Sequence, residues 1–299
     1  MPSWNEILEE INHIDSKHPL DTVRQKYLKK LSEKTGRNVI AYYSGFLQNP
    51  DFAETSINDS DKNAFMATIH GLDRQKGLDI ILHTPGGQTA ATESIVDYLH
   101  SMFDNDIRTI VPQIAMSAGT MITCASKEIV MGKHSNLGPI DPQFGGIPAT
   151  GVIEEFEKAI EETKKDPATI PLWQTIIGKY HPTFLGECEK AIAWSKEITK
   201  VWLSKCMFEE HDNQEKIENI VNALSDHQET KTHSRHISLQ QCKELGLKVI
   251  ELEEDQDLQD IILSIHHSFM HTISSVPGIM KIVENQNDMR VVERRNIQQ

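Results

Sequence analysis

Two short stretches hold residues able to act together: "HTPGG" (83–87) and "AMSAGT" (115–120). Ser117 offers a hydroxyl nucleophile in a run of small residues. Gly86 and Gly87 lack a Cβ, so the chain there can turn sharply and present a backbone N–H outward. The amide of Ala118, directly after the serine, would point the same way. Two such amides beside one hydroxyl suit acyl transfer, in which the hydroxyl attacks a carbonyl and the amides hold the oxyanion. Ala115, Ala118 and Gly119 let backbone crowd around a tight bend, as a nucleophile elbow requires. Each stretch alone has a plainer reading. PGG is a common turn, and a serine ahead of Ala-Gly is commonly a helix N-cap.

A serine nucleophile needs a proton acceptor, either a histidine or a lysine made neutral by burial. Lys179, in "IIGKYHP", follows an apolar run and a glycine, where desolvation would lower its pKa. It is the preferred base, against the alternative of a solvated loop lysine. His134, in "GKHSNLGPIDP", is the competitor, just past a strand-like run. Asp141 can orient a base or bind a peptide amine, although its place between two turn prolines favours a structural role. His83, beside PGG, is a further supporting candidate. Lys158 and Lys164 fall on a charged helical stretch and read as exposed i,i+4 partners. His266, His267 and His271 lack the HExxH order and an evident third ligand, so packing or capping outweighs a metal reading.

Both motifs must be held at the ends of strands. "LDIILH" (78–83) is a nearly continuous apolar run, as in a strand buried on both faces. After "PGGQT", Ile95, Tyr98, Leu99 and Met102 share one helical face. "RTIVPQIA" (108–115) reads as the next strand, with a small-residue helix from Ser117, and "EIVMG" (128–132) as a third. Strand–helix alternation of this kind implies right-handed crossovers and a parallel sheet covered by helices. The carboxyl edge of such a sheet is where sites are built. Upstream, "SWNE" forms a capping box for a first helix, a second helix covers about 20–35, and "NVIAYY" (38–43) is a strand. Residues 48–62 read as a polar surface loop. Residues 151–166 and 186–228 look helical and charged, and "LKVIEL" (247–252) is a late strand. Leu258, Ile261, Ile262, Ile265 and Phe269 mark a last helix. The tail beyond about 280 reads as loosely held.

Composition narrows the partners. The chain has 299 residues, 38% hydrophobic and 25% charged, with a formal net charge of −14. That is a folded chain with material for a sizeable core. The acidity argues against nucleic acid, which needs clustered cations, and against an anionic membrane surface. No run approaches the ~20 apolar residues of a membrane span, and the amino terminus lacks a secretory pattern. Cys124, Cys188, Cys206 and Cys242 are scattered, as free thiols in a cytoplasmic protein would be.

The order of the PGG and serine motifs resembles the Clp-protease and crotonase fold. Longer blocks carry the likeness further: "GLDIILHTPGGQTAATESIVDYL", "AMSAGTMITCASKEIVMGKHSNLGPIDPQFGGIPA", "GKYHPTFLGECEKA" and "HHSFMHT". From about residue 20 to 275 the chain resembles the serine dehydrogenase proteinase family, relatives of signal peptide peptidase A. The resemblance implies Ser117 as nucleophile and PGG as an oxyanion strand end. It also implies no metal or nucleotide cofactor, and a ring or stacked homo-oligomer, for which the helical inserts around 151–228 would be the contact. Where the Clp subunit carries its histidine, this chain reads "GPIDPQ". Its aspartate would fall near "THSRHIS" (232–238), which has no carboxylate. The peptidase relatives use a lysine from beyond the third strand, which agrees with Lys179.

The expected architecture is therefore an α/β fold, a Clp-protease/crotonase-like parallel sheet with flanking helices. Residues 1–36 form a helical extension, 37–280 the peptidase domain and 281–299 a polar tail. The expected activity is ATP-independent serine endopeptidase hydrolysis of peptides or unfolded protein. A crotonase-like acyl-thioester enzyme and a non-catalytic assembly module of the same fold are the alternatives.

Overall fold

The computed structural model describes residues 3–209, 213–225 and 234–296. The chain begins with α1 (Trp4–His13), whose capping box joins Ser3 and Glu6 and which buries Ile7 and Ile11. Next comes α2 (Pro19–Thr35), opened by a proline in its first turn and closed by Gly36 in a left-handed conformation. Then β1 (Asn38–Ser44), α3 (Ser60–Ile69), β2 (Leu78–His83), α4 (Thr89–Phe103) and β3 (Ile107–Val111) set the alternation. A break at Pro112–Gln113 separates β3 from the short β4 (Ile114–Ala115), where the sequence reading expected one strand. Proline cannot donate to a ladder, which accounts for the break.

After β4 come α5 (Ala118–Cys124), β5 (Glu128–Met131) and β6 (Asn136–Leu137). A small hairpin, β7 (Gln143–Phe144) and β8 (Ile147–Pro148), leads into a helical excursion: α6 (Ala149–Lys165), α7 (Ile170–Ile177), α8 (Phe184–Trp202) and α9 (Gln214–Ser225). The expected helical stretch 186–228 is thus observed where described; residues 210–212 and 226–228 lie outside the described residues. The chain returns through β9 (Ile237–Ser238), a short helix, β10 (Val249–Glu251) and the long helix Gln256–Ser275. It ends in β11 (Ile279–Asn285) and β12 (Arg290–Arg294).

The central sheet has the order β10-β5-β3-β2-β1-β11-β12. Neighbours from β10 to β1 are parallel, and β11 and β12 add an antiparallel edge. This is the mostly parallel, helix-covered α/β sheet expected. Residues of β2 alternate between its faces: Leu78, Ile80 and Leu82 pack with α3, α4, α5 and α8, while Ile81 packs with α2 and the long helix. At the amino edge, buried Asp79 is clamped by Arg37 at 2.7 Å and Arg108 at 2.6 Å. The carboxyl edge of β2 and β3 is left to the loops.

Two expectations need correction. The segment beyond 280 is not a loose tail: β11 is buried throughout and pairs with β1. Its charges misled the reading, because they are paired inside. Lys281 bonds Asp61 at 2.9 Å and Glu284 bonds Arg24 at 2.7 Å. Likewise 48–62 is not merely a surface loop, since Thr55, Ile57 and Asp61 are buried. Among the described residues no helix is long and apolar enough to cross a membrane.

Candidate active site

Two β-bridges lock the chemical motifs together at the carboxyl edge. Thr84 pairs with Ala115, through Thr84 N–H to Ile114 O at 3.1 Å and Met116 N–H to Thr84 O at 3.0 Å. Gly87 pairs with Ile57, through Ile57 N–H to Gly86 O at 2.8 Å and Gln88 N–H to Ile57 O at 2.9 Å. The elbow after β4 is closed by Gly119 N–H to Met116 O at 2.7 Å. Thr120 Oγ1 accepts from Gly138 N–H at 2.9 Å and lies 2.9 Å from the Ala115 carbonyl, tying the 136–142 segment to the elbow.

Ser117 sits at φ 50°, ψ −115°. That is a positive φ on a residue with a Cβ, a strain of order 1–3 kcal/mol that surrounding structure must hold. A serine N-cap has extended backbone and accepts an amide proton from the helix's first turn. Ser117 has neither property: its backbone is left-handed and its side chain makes no cap bond. Its hydroxyl has no partner among the described residues and is half-buried rather than sealed.

The glycines are steric requirements. A Cβ on Gly86, whose φ is +99°, would lie 2.7 Å from Ser117 Cβ and 2.8 Å from Met116 O. A Cβ on Gly87 would lie 2.2 Å from Ile57 O. The two amides differ in availability. Gly86 N–H donates to Thr84 Oγ1 at 3.1 Å, so its proton is engaged. Gly87 N–H and Ala118 N–H have no acceptor among the described residues.

Ser117 opens into a cleft of about 890 Å³. One wall is the 53–58 segment, another the 140–144 segment, and Met121, Ala191 and Trp194 close the sides. The first wall is pinned from below by Lys281, which donates to Ser56 O at 3.0 Å and to Asp61. Neither Ile57 nor Lys281 was singled out from sequence; the one available signal was a lone Ile in a polar run.

Among the described residues, no histidine or lysine lines the cleft. Lys179 follows α7, exposed, on the helical excursion. The burial that the sequence reading requires of it is absent within one chain. His134 is exposed too, at a tight turn against Gly132. It is not among the residues that line the cleft, and it adds only a minor electrostatic lowering to His266 and His267 beside that of their burial. Asp141 is buried between the wall residues Ile140 and Pro142. Residues 232 and 233 of "THSRHIS" lie outside the described residues.

His83 points to the far face. It packs against Tyr43, Phe46 and His266, with ring centroids 5.4, 5.1 and 5.5 Å away. Both ring nitrogens are sealed and have no partner among the described residues, and burial pushes its pKa down to about 3. His266 is driven well below the ordinary imidazole value, chiefly by burial. His267 and His271 pack on Trp4, and His271 Nε2 lies 3.0 Å from the Trp4 carbonyl. This cluster fastens α1 to the long helix.

The family model described as ClpP-like SDH-type serine proteinase matches residues 12–288. Two uncharacterized proteins of Methanocaldococcus jannaschii are similar over most of their length. One is 31% identical over 236 residues, 77% of this chain and 74% of the relative. The other is 28% identical over 233 residues, 76% of this chain and 71% of the relative.

Proposed function

The chain belongs to the ClpP-like SDH-type serine proteinases, and from that premise we propose that it is an ATP-independent serine endopeptidase of peptides or unfolded protein segments in the cytoplasm. Ser117 Oγ attacks the scissile carbonyl as a base takes its proton. The amide protons of Gly87 and Ala118 hold the tetrahedral oxyanion, and Gly86 serves by letting the strand end approach the elbow. The protonated base then gives its proton to the leaving amine, and water resolves the acyl-enzyme by the same steps in reverse. The observation that carries this reading is a strained Ser117 with an unbonded hydroxyl in a cleft that Gly87 also lines, with the amides of Gly87 and Ala118 unclaimed among the described residues.

Lys179 is the proposed base, supplied within a homo-oligomer. The excursion that carries it leaves Ile160, Ile170 and Leu172 exposed, an apolar face suited to contact with another copy. Laid over the cleft of a neighbouring copy, the same segment would bury Lys179 beside Ser117. Asp141 orients the wall it belongs to, and His134 is the secondary candidate for the base.

The test is casein hydrolysis by Ser117→Ala, by Lys179→Ala and by the two mixed and reassembled. The expected result is that each is inactive alone and the mixture recovers a measurable fraction of wild-type rate. Wild-type activity in Lys179→Ala removes that residue and moves attention to His134. Wild-type activity in Ser117→Ala overturns the peptidase reading. The non-catalytic reading rests on the lack of a histidine or lysine in the cleft among the described residues, and predicts no hydrolysis by wild type under any assembly condition. The acyl-thioester reading needs the amides but gives Ser117 no work, which leaves its strain without a use.

A further inference from the structure

Beside the Ser117 cleft lies a second cavity, of about 470 Å³, between α4 and α8. The two are neighbours through one side chain, Trp194, which lines both. Helical spacing makes this continuity. On α4, Thr89 and Ala90 face the cleft, and Glu93, Asp97 and His100 carry the same face onward. On α8, Ala191 and Trp194 face the cleft, followed by Glu197, Ile198, Val201 and Trp202.

The lining combines apolar surface with unbalanced charge. Trp194, Ile198, Val201 and Trp202 supply aromatic and aliphatic wall. Glu93, Asp97 and Glu197 supply three carboxylates, none in an ion pair among the described residues, against one cation, Lys205. His100 adds no charge at neutral pH: its Nε2 lies 2.8 Å from the Ala125 carbonyl, and burial lowers its pKa. A second feature is independent of the acids. Trp202 is 3% exposed, yet its indole N–H has no acceptor among the described residues and is not sealed off. The ring is buried while its N–H is not, so a chain bound in the cavity can supply the acceptor in place of solvent.

We infer that this cavity is a specificity subsite for a basic side chain of the substrate, an inference that rests on the peptidase reading of Ser117 for its place in a reaction. The methylene stem of an arginine or lysine lies along Val201 and the indole of Trp194, and its cationic head meets the three carboxylates. A carbonyl of the same peptide accepts from Trp202. Ala90 and Asp97 are about 10 Å apart along α4 at ~1.5 Å per residue. An extended peptide covers that in about three residues at ~3.3 Å each. The basic residue therefore sits two to four positions from the scissile bond, not at it.

The test uses the full-length Ser117→Ala protein, so that binding is read apart from catalysis. Peptides carry a single arginine scanned across the positions either side of the centre, with citrulline counterparts of the same shape and no charge. Affinity is read from tryptophan fluorescence. The expected result is a preference for arginine of about tenfold at one position, weakened by salt, the size expected of a cation on an aromatic face beside exposed carboxylates. It should fall to near unity in Asp97→Asn/Glu197→Gln, two exposed positions whose substitution leaves the fold intact. Equal binding of arginine and citrulline peptides at every position overturns the subsite. A preference that survives in the double variant overturns it equally. Failure of the serine as nucleophile shows separately, as loss of fluorophosphonate labelling in the wild-type protein.

Discussion

The carboxyl edge of the sheet has two faces, and they treat polar groups in opposite ways. On the α4–α5 face, Ser117 is strained, unbonded and open to a cleft, with the amides of Gly87 and Ala118 unclaimed. On the other face, His83 and His266 are sealed among Tyr43, Phe46 and Phe269 and held neutral. Both faces carry residues that chemistry commonly uses, and one strand end, "HTPGG", feeds both. What separates them is access. A group can act on a substrate only where it keeps unspent hydrogen-bonding capacity within reach of solvent.

The largest way to break the contrast is to exchange effects between faces. Ser117→Ala should lower kcat/KM by about 10⁴-fold or more, as for loss of a nucleophile elsewhere, while His83→Leu changes it less than severalfold. Steady-state hydrolysis of one peptide by both variants checks this. Next in size, Gly87→Ala should cost about 10²–10³-fold, the worth of one oxyanion donor. Its Cβ would meet the backbone of Ile57 and push the amide out of line. Circular dichroism on the same sample separates that loss from unfolding.

The sealed face sets the response to acid. Above the ordinary imidazole value of 6.5, His83 is neutral in both folded and unfolded chains, and its shift has no effect on stability. Below 6.5 the unfolded chain takes up a proton that the folded chain refuses until about pH 3. Stability is therefore whole above 6.5 and falls by about 1.4 kcal/mol per pH unit below it for such a group. Urea midpoints between pH 7 and 4 should fall less steeply in His83→Leu than in wild type. An identical slope would remove His83 from the acid response. The smallest effect belongs to the open face. Ser117→Gly should stabilise the inactive protein by about 1 kcal/mol, because glycine accepts the positive φ. A lowered Tm would mean that the Ser117 backbone is not strained.

The parts legible in sequence were those governed by local pattern. Buried parallel strands wrote themselves as apolar runs in "LDIILH" and "NVIAYY", and the PGG and serine motifs sit at strand ends as their spacing implies. The misses share a cause, long-range pairing. Lys281 and Glu284 look like tail residues until Asp61 and Arg24 are set beside them. Ile57 looks like a loop residue until it bridges Gly87. Lys179 follows an apolar helix whose apolar side is partly turned to solvent, so the run beside it did not imply burial within one chain. The cap reading of Ser117 could be decided only by its backbone angles, which composition does not encode.

Ser117 as an activated nucleophile is tested most directly by intact-mass analysis after exposure of the assembled protein to a fluorophosphonate. One adduct per chain, mapped to Ser117 and absent from Ser117→Ala, is the expected result. No adduct on the folded, assembled wild type, or an adduct that persists in Ser117→Ala, would contradict it.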